Sequence, residues 1–531
     1  MELDLISPRI WGRFEEDGLE IIKGDWQISC FGYIINMHEL CHDCKTDIGE
    51  IIIGIIEANP GILQSTLKGS YLLIVKNSKT KDIYIFNDLL SKYSVFYTIV
   101  EDVCVVSDSF LTLVENLKTK GFQLTPDSLA VKMMNRFECL FDDVTYVKEI
   151  KFLKPYNYLK LNSDFHEVIS IETPTTNNSV SVSETANTLN VLFENACKLI
   201  TEKNSLNKKK QIITISGGMD SRTTLMYGVK CGCKYDTSYC YSQSGSKDIE
   251  IAQSISSDLG IPLLFYTMDK GWCIRERESL ITKNDGMMCY SGTTGLNICL
   301  NNLNTIGWGL VHTGLGGGEI MGDITFNPSS NEIAWSHFEK YLECNEKESE
   351  RINIIKSKYR NFNEFSNLND VRRCLNSQKI ALEFCDYASP FLDETLFSFM
   401  LSVPYAIKKN RELYFYWIDK FLPNHFNYEN TFRFGCKPNQ NFKYMIYRVY
   451  HGIMNRIGLK TKHDMNPFME WCLSNKLLLE EQEVSFHNDL MNLEGKIEDD
   501  ILFKLKEEYK KSSFRKRTHI ITSSYILSKI I

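Results

Sequence analysis

Apolar and polar positions follow two different rhythms along this chain of 531 residues. Up to about residue 170 the apolar runs are short and rich in β-branched and aromatic residues: Ile21–Ile28, Tyr71–Lys76, Ile83–Asn87, Val95–Val100 and Val103–Ser107. Turn residues separate them (Asn77-Ser78, Asn87-Asp88, Glu101-Asp102), which predicts a β-rich region. Ile48–Ile56 is apolar almost throughout, and its periodicity does not choose between helix and strand. The polar stretch Glu172–Ser179 reads as a linker. Beyond it the rhythm becomes helical. Ser181-x-x-Glu184 is a capping box, and Leu189, Leu192, Phe193, Ala196, Leu199 and Ile200 fall on one helical face. Strand-like and helix-like segments then alternate to about residue 325, the pattern of a parallel α/β sheet. From 330 onward the chain reads as helical, aromatic and charged.

Composition narrows the picture. A hydrophobic content of 43% with 24% charged residues is that of a soluble globular protein. A formal net charge of −7 argues against nucleic acid as a partner, which needs a basic face. No apolar run approaches the roughly 18 residues of a membrane span. The start, MELDLISPRIW, lacks the basic and apolar regions of a signal peptide, so the expected location is the cytoplasm. The 17 cysteines are scattered, as suits reduced, mostly buried thiols. Cys41-His42-Asp43-Cys44 has CxxC spacing, but no second pair stands near it to complete a zinc site.

The most informative stretch is 211–225, QIITISGGMDSRTTL. The run Ile212, Ile213, Thr214, Ile215 reads as a buried parallel strand. It ends in Ser216-Gly217-Gly218, where the chain must turn sharply, and Asp220 and Ser221 then open a helix. Such a turn aims amide donors and a positive helix end at one spot, an anion site. The chain contains no G-x-x-x-x-G-K-[ST] and no G-x-G-x-x-G. An acid, Asp220, lies inside the anion loop instead, and carboxylate beside phosphate calls for a divalent cation between them.

Ser216-Gly217-Gly218-Met219-Asp220-Ser221 resembles the SGGxDS pyrophosphate loop of PP-loop ATP pyrophosphatases. Other segments are similar to the asparagine synthetase branch of that group: Ser246-Lys247-Asp248 with Ile249–Gly260, the run Thr313–Gly322, and Ser389–Glu394 followed by Leu401–Pro404. Leu67–Tyr71, Ile85–Asp88 and Tyr93–Tyr97 are similar to the glutaminase domain of those enzymes. The resemblance implies an α/β protein. Residues 1–170 would form a degenerate N-terminal-nucleophile (Ntn) hydrolase-like, β-rich sandwich. Residues 180–531 would form a PP-loop parallel-sheet synthetase domain (adenine nucleotide alpha hydrolase-like) with a helix-rich C-terminal part. It implies ATP and Mg²⁺ as cofactors, with the nucleotide held by Ile215, Ser216, Gly217, Gly218, Met219, Asp220, Ser221 and Gly314, and adenine near Tyr239–Tyr241.

The departures from the family are as informative. Its glutaminase needs an N-terminal cysteine; here Glu2 follows Met1, so glutamine hydrolysis is not expected, and Cys30 reads as a buried structural residue. Gly318 stands where the family has a second metal-binding aspartate. Glu319 is the expected substitute beside Asp220, with Asp323 the alternative. Leu315 replaces a glutamate or tyrosine near the acceptor. Lys437, in the loop FRFGCKPNQNFK, is the expected catalytic cation, with Arg433 and Lys443 nearby. The implied reaction is adenylation of a small-molecule or peptide carboxylate and its transfer to an amine or ammonia, as in β-lactam synthetases and lasso-peptide cyclases, which the chain also resembles. No nucleic-acid or membrane partner is expected; a second copy of the chain or a protein of the same pathway is. The competing expectation is a nucleotide-binding or scaffold relic of such a ligase.

Overall fold

Fifteen strands in three sheets order the described part of the chain. In the computed structural model these described residues are 2–6, 18–100, 103–162, 165–322, 331–433, 436–437, 440–456 and 467–531. Asp323 and Met1 lie outside them. The first ten strands are β1 (Glu2–Ile6), β2 (Leu19–Lys23), β3 (Trp26–Ile34), β4 (Gly69–Asn77), β5 (Ile83–Asn87), β6 (Phe96–Val100), β7 (Val103–Ser107), β8 (Lys151–Phe152), β9 (Asn157–Leu161) and β10 (His166–Ser170). They form an antiparallel six-stranded sheet, order β10-β9-β5-β4-β3-β2, and a four-stranded sheet, order β1-β7-β6-β8. In the second sheet β1 pairs parallel with β7.

The alternation of β4 shows how these sheets stack. Leu72 and Ile74 turn inward with Ile85 onto Tyr97, Cys104 and Val106 of the smaller sheet. Leu73 and Val75 turn outward, with Cys30, onto Ile48, Ile52, Ile53 and Ile56. Phe96 and Val105, on the far face of the smaller sheet, meet Phe110, Leu113, Leu129 and Met133 of the helices Phe110–Thr119 and Ser128–Phe137. The result is four layers, helix–sheet–sheet–helix.

Two segments differ from their sequence reading or complete it. Ile21–Ile28 is not one strand. It bends at Gly24-Asp25 into the hairpin of β2 and β3, paired Lys23 to Trp26, with Gly24 at φ +56°, a conformation glycine adopts without cost. Ile48–Ala58 is a helix. The Asp47 carboxylate accepts from the Gly49 and Glu50 amides at its start, and one face packs on the larger sheet. Each isoleucine buried there contributes about 1.5–3 kcal/mol.

The third sheet is wholly parallel, order β13-β12-β11-β14-β15. It comprises β11 (Ile212–Thr214), β12 (Thr237–Ser242), β13 (Leu263–Thr267), β14 (Val311–His312) and β15 (Tyr387–Ala388). The last strand comes from the region read as helical. The capping box at Ser181 and Glu184 is formed, and opens the 25-residue helix Val182–Leu206. Its Phe193 packs edge-on against Trp417 and Phe391, with ring centroids 5.0 and 4.7 Å away. Residues 171–180 are irregular, and Arg360 donates to the Pro174 carbonyl at 2.7 Å.

The largest core cluster draws on both sides of residue 170. It joins the helices at 110–137 to the parallel sheet and to the final helix Phe514–Ile530. Polar ties cross the same boundary. Lys92 meets Glu394 at 2.6 Å, Lys68 meets Asp393 at 2.8 Å, and the Tyr33 hydroxyl donates to the Tyr387 carbonyl at 2.9 Å. Among the described residues no helix is long and apolar enough to cross a membrane.

Candidate functional site at the switch point of the parallel sheet

From β11 the chain steps outward to β12 and β13, then returns to the other side of β11 to lay down β14 and β15. The strand order therefore reverses between β11 and β14, and in open parallel sheets the crevice beyond the carboxyl ends at such a point is where ligands bind. The loops leaving these two strands are Ser216-Gly217-Gly218 and Thr313–Gly318.

They touch backbone to backbone. A Cβ on Gly314 would collide with the Ser221 amide nitrogen and the Asp220 carbonyl carbon. One on Gly317 would lie 2.6 Å from Asp220 Cγ. Glycine is needed at both positions because the second loop lies directly on the first helical turn. That helix, Met219–Lys230, has Gly218 as its N-cap with no side chain capping it, so its first amides have no intrahelical acceptor. Asp220 is the second residue of the helix and Ser221 the third.

Within the turn, Ser221 Oγ accepts from the Ser216 amide at 3.1 Å, and Ser216 Oγ accepts from the Gly218 amide at 3.3 Å. The Gly217 amide donates to Asp248 Oδ1 at 2.9 Å. Asp248 also accepts from the Thr431 hydroxyl at 3.2 Å. The Thr431 amide donates to the Gly217 carbonyl at 3.1 Å. Asp248 is buried, which pushes its carboxyl upward against these two donors.

Asp220 is half-buried. The Tyr414 hydroxyl donates to its Oδ1 at 2.9 Å, and the Gly318 amide also donates to it. Burial pushes its carboxyl above the ordinary range, although the nearby Arg411 charge and those two donors oppose the shift. Glu319 is raised by burial too, and the Asp220 charge adds to the effect, while Cys374 and Arg373 oppose it. Its Oε1 lies 3.6 Å from the Arg373 guanidinium. Two carboxylates thus share a desolvated neighbourhood, a charge arrangement that a divalent cation would relieve. Asp220 is presented to the turn; Glu319 would have to release Arg373 to join it.

The remaining expected residues fall as follows. The Ile215 side chain is buried among Leu225, Cys240 and Ile251, so the residue faces the turn through its main chain; its amide donates to the Tyr239 carbonyl at 2.9 Å. Met219 is buried in the aromatic cluster around Phe193. Tyr239 stacks on Trp308 at 5.9 Å within the core, and Tyr241 packs against Gly295. Lys437 lies one residue beyond the Asn430–Cys436 bridge, and its amide donates to the Gln440 side chain at 3.2 Å. The Leu315 carbonyl accepts from the Ser389 hydroxyl at 2.6 Å.

Arg222 has a role the sequence did not suggest. Its fully buried guanidinium donates to the carbonyls of His425 (3.2 Å), Tyr428 (3.4 Å) and Gly217 (3.4 Å), and to that of Glu429. Burial pushes it down to about 10. It clamps segment 425–431 onto the glycine turn and brings Thr431 to Asp248. His425, likewise buried and held neutral, lies 3.3 Å from the Met219 carbonyl. No local pattern in the sequence marks Arg222, because its four carbonyl partners lie mostly some 200 residues away.

No protein-family model matches the chain, and no curated protein does. Among solved structures it is similar to the allosteric regulatory enzyme of purine biosynthesis, with 10% identity over 47% of this chain and 62% of that one and a TM-score of 0.21. It is also similar to glutamine phosphoribosylpyrophosphate amidotransferase from B. subtilis complexed with ADP and GMP, with 11% identity over 56% of this chain and 63% of that one and a TM-score of 0.20. The chain spans less than two thirds of either protein. At these scores neither likeness bears on the chemistry of the site.

Proposed function

We propose that the chain is an ATP-dependent amide ligase of the asparagine synthetase type, which adenylates a carboxylate, releases pyrophosphate and passes the acyl group to an amine or ammonia. The observation that carries this is the meeting of two glycine loops and Asp220 where the parallel sheet reverses its strand order. ATP would supply the electrophilic α-phosphorus and the leaving pyrophosphate, and Mg²⁺ would spread their charge. The first amides of the helix Met219–Lys230 and the Ser216 and Ser221 hydroxyls suit phosphate oxygens. Asp220 suits the cation. Tyr414 and the Gly318 amide fix the Asp220 rotamer before any ligand binds, which lowers the ordering cost of binding. The Gly217 amide would have to exchange Asp248 for phosphate, or Asp248 stays as the wall of the cradle. Lys437 would face the acyl group from the loop that Thr431 and Arg222 pin to the turn.

On this reading residues 1–170 are an Ntn-like domain, and the nitrogen comes from a free amine or ammonia. Pyrophosphate release, measured over a broad panel of carboxylates with ATP and Mg²⁺, tests the proposal. One carboxylate should trigger release that disappears in Asp220→Ala; silence across the panel refutes it. The engagement of Glu319 by Arg373 favours a second reading, a nucleotide-binding relic. ATP binding that ignores both Mg²⁺ and Asp220→Ala would select that one.

A further inference from the structure

Outside the glycine turn, three chain segments bring a carboxylate, a thiol and an imidazole together. Glu138 follows the helix Ser128–Phe137. Cys289 precedes the short turn Tyr290–Gly292. His519 lies on the final helix, Phe514–Ile530. Their ligand atoms all lie within 4.8 Å of one another. His519 Nε2 is 3.4 Å from Glu138 Oε1, and Cys289 Sγ is 4.0 Å from Glu138 Oε2. Ligand atoms on a tetrahedral zinc ion sit about 3.3–3.6 Å apart, given Zn–S near 2.3 Å and Zn–N or Zn–O near 2.0–2.2 Å. The His519–Glu138 spacing of 3.4 Å already falls in that range, the Cys289–Glu138 spacing of 4.0 Å is about half an ångström too long, and the third side, within 4.8 Å, would close by up to about 1.2 Å as the ion binds.

A second observation points the same way. His519 is 5% exposed, and neither of its ring nitrogens reaches full hydrogen-bond geometry with a described residue, although the Asn135 backbone and the Glu138 carboxylate lie close enough to favour its charged form. Buried polar atoms are seldom left so, and Nε2 lies 3.4 Å from Glu138 Oε1. Cys289 is 1% exposed, and its Sγ lies 3.4 Å from the Ser291 hydroxyl, which itself accepts from Thr518 at 2.8 Å. The ligand set is one thiolate, one carboxylate and one neutral imidazole, so a divalent ion brings the buried site to zero net charge. Arg515 is the competitor. Its guanidinium stands 3.4 Å from Glu138 Oε1, but its side chain is 63% exposed and free to turn outward.

We propose that Glu138, Cys289 and His519 form a zinc-class metal site, with a water or the Ser291 hydroxyl as fourth ligand, that staples the N-terminal layers to the last helix. On binding, the Cys289 thiol gives its proton to solvent and its sulfur becomes a thiolate ligand. The site shares no residue with the glycine turn, and its test needs no ligase activity.

The test uses the full chain stripped with a chelator and titrated with Co²⁺. The expected result is one ion per chain with a thiolate-to-cobalt charge-transfer band. Cys289→Ser should abolish the band, and His519→Gln should weaken binding by more than about 100-fold, beyond what loss of an outer-shell partner costs. Cys41→Ser, in the exposed CxxC segment, should change neither. A zinc-edge anomalous diffraction map of the zinc-loaded wild-type protein needs no variant, and should show a peak between the three side chains. Absence of that peak, or a cobalt band that survives Cys289→Ser, overturns the proposal.

Discussion

Replacing Asp220 by Asn separates a ligand-binding acid from a packing acid. Asn keeps the shape and still accepts from the Tyr414 hydroxyl, now 2.9 Å from Oδ1. It turns two charge-assisted hydrogen bonds, from Tyr414 and Gly318, into neutral ones, a loss of about 1 kcal/mol each. Against that it removes a desolvated charge, whose burial costs several kcal/mol in a fully enclosed site and somewhat less here, where Asp220 keeps a minor exposed part. Burial outweighs its partners, since the Asp220 carboxyl is raised rather than lowered. The expected net change is therefore within about 1 kcal/mol of zero, or stabilising. The pH dependence follows with a definite sign. A raised carboxyl destabilises the fold above its folded pKa, and that cost disappears as the pH falls to the unfolded value near 3.9. The wild-type protein should thus gain on the Asn variant as the pH is lowered from neutral. Thermal unfolding followed by tryptophan fluorescence, with and without Mg²⁺ and ATP, reads both effects. Mg²⁺ with ATP should raise the wild-type midpoint and leave that of Asp220→Asn unchanged. A loss of 3 kcal/mol or more in the variant, the cost of breaking a structural buried pair, would refute the role given to Asp220.

Other outcomes follow from the same geometry. Arg222→Met should cost about 3–5 kcal/mol in denaturant unfolding, because it strands carbonyls in the interior, and Arg222→Lys should recover little of it, lacking the planar fork. Gly317→Ala should cost about 1–3 kcal/mol and lower any ATP affinity measured by calorimetry, since the added carbon meets Asp220 2.6 Å from its Cγ. Asp142 accepts from Lys358 (2.7 Å), Tyr359 (2.8 Å) and Lys154 (3.0 Å). Burial pushes its carboxyl up, but the two lysines outweigh that and hold it well below the usual range. Its contribution is full above pH ~4 and fades as the pH falls further, so Asp142→Asn should lose about 3–5 kcal/mol at neutral pH and show a shallower acid unfolding profile. Lys437→Ala should move stability by less than about 0.5 kcal/mol, as surface changes do, while stopping amide formation in a coupled product assay.

Features that depend on neighbours in sequence were legible without the fold. The Ser181–Glu184 capping box joins residues three apart, and the strand before Ser216 is a β-branched run closed by two glycines. Local chemistry is enough to specify both. The hairpin within 21–28 was missed because Gly24-Asp25 is a weak signal inside an apolar run. The helix at 48–58 was undecided because a continuously apolar segment becomes a helix or a strand according to the surface it covers, here the outer face of the larger sheet.

The site divides along the same line. The turn 216–218 and Asp220 at the start of a helix belonged to the chain itself, because strand, glycine turn and helix start are consecutive. Which carboxylate caps Gly217, which hydroxyl holds Asp220 and which arginine grips the turn were decided by the tertiary structure. Asp248 is 31 residues from Gly217 and Tyr414 is 194 from Asp220. Bringing such distant groups within 3 Å costs chain entropy that only the packed core repays. Glu138, Cys289 and His519 are the extreme case: three unremarkable residues in sequence, made a ligand set by the docking of the final helix.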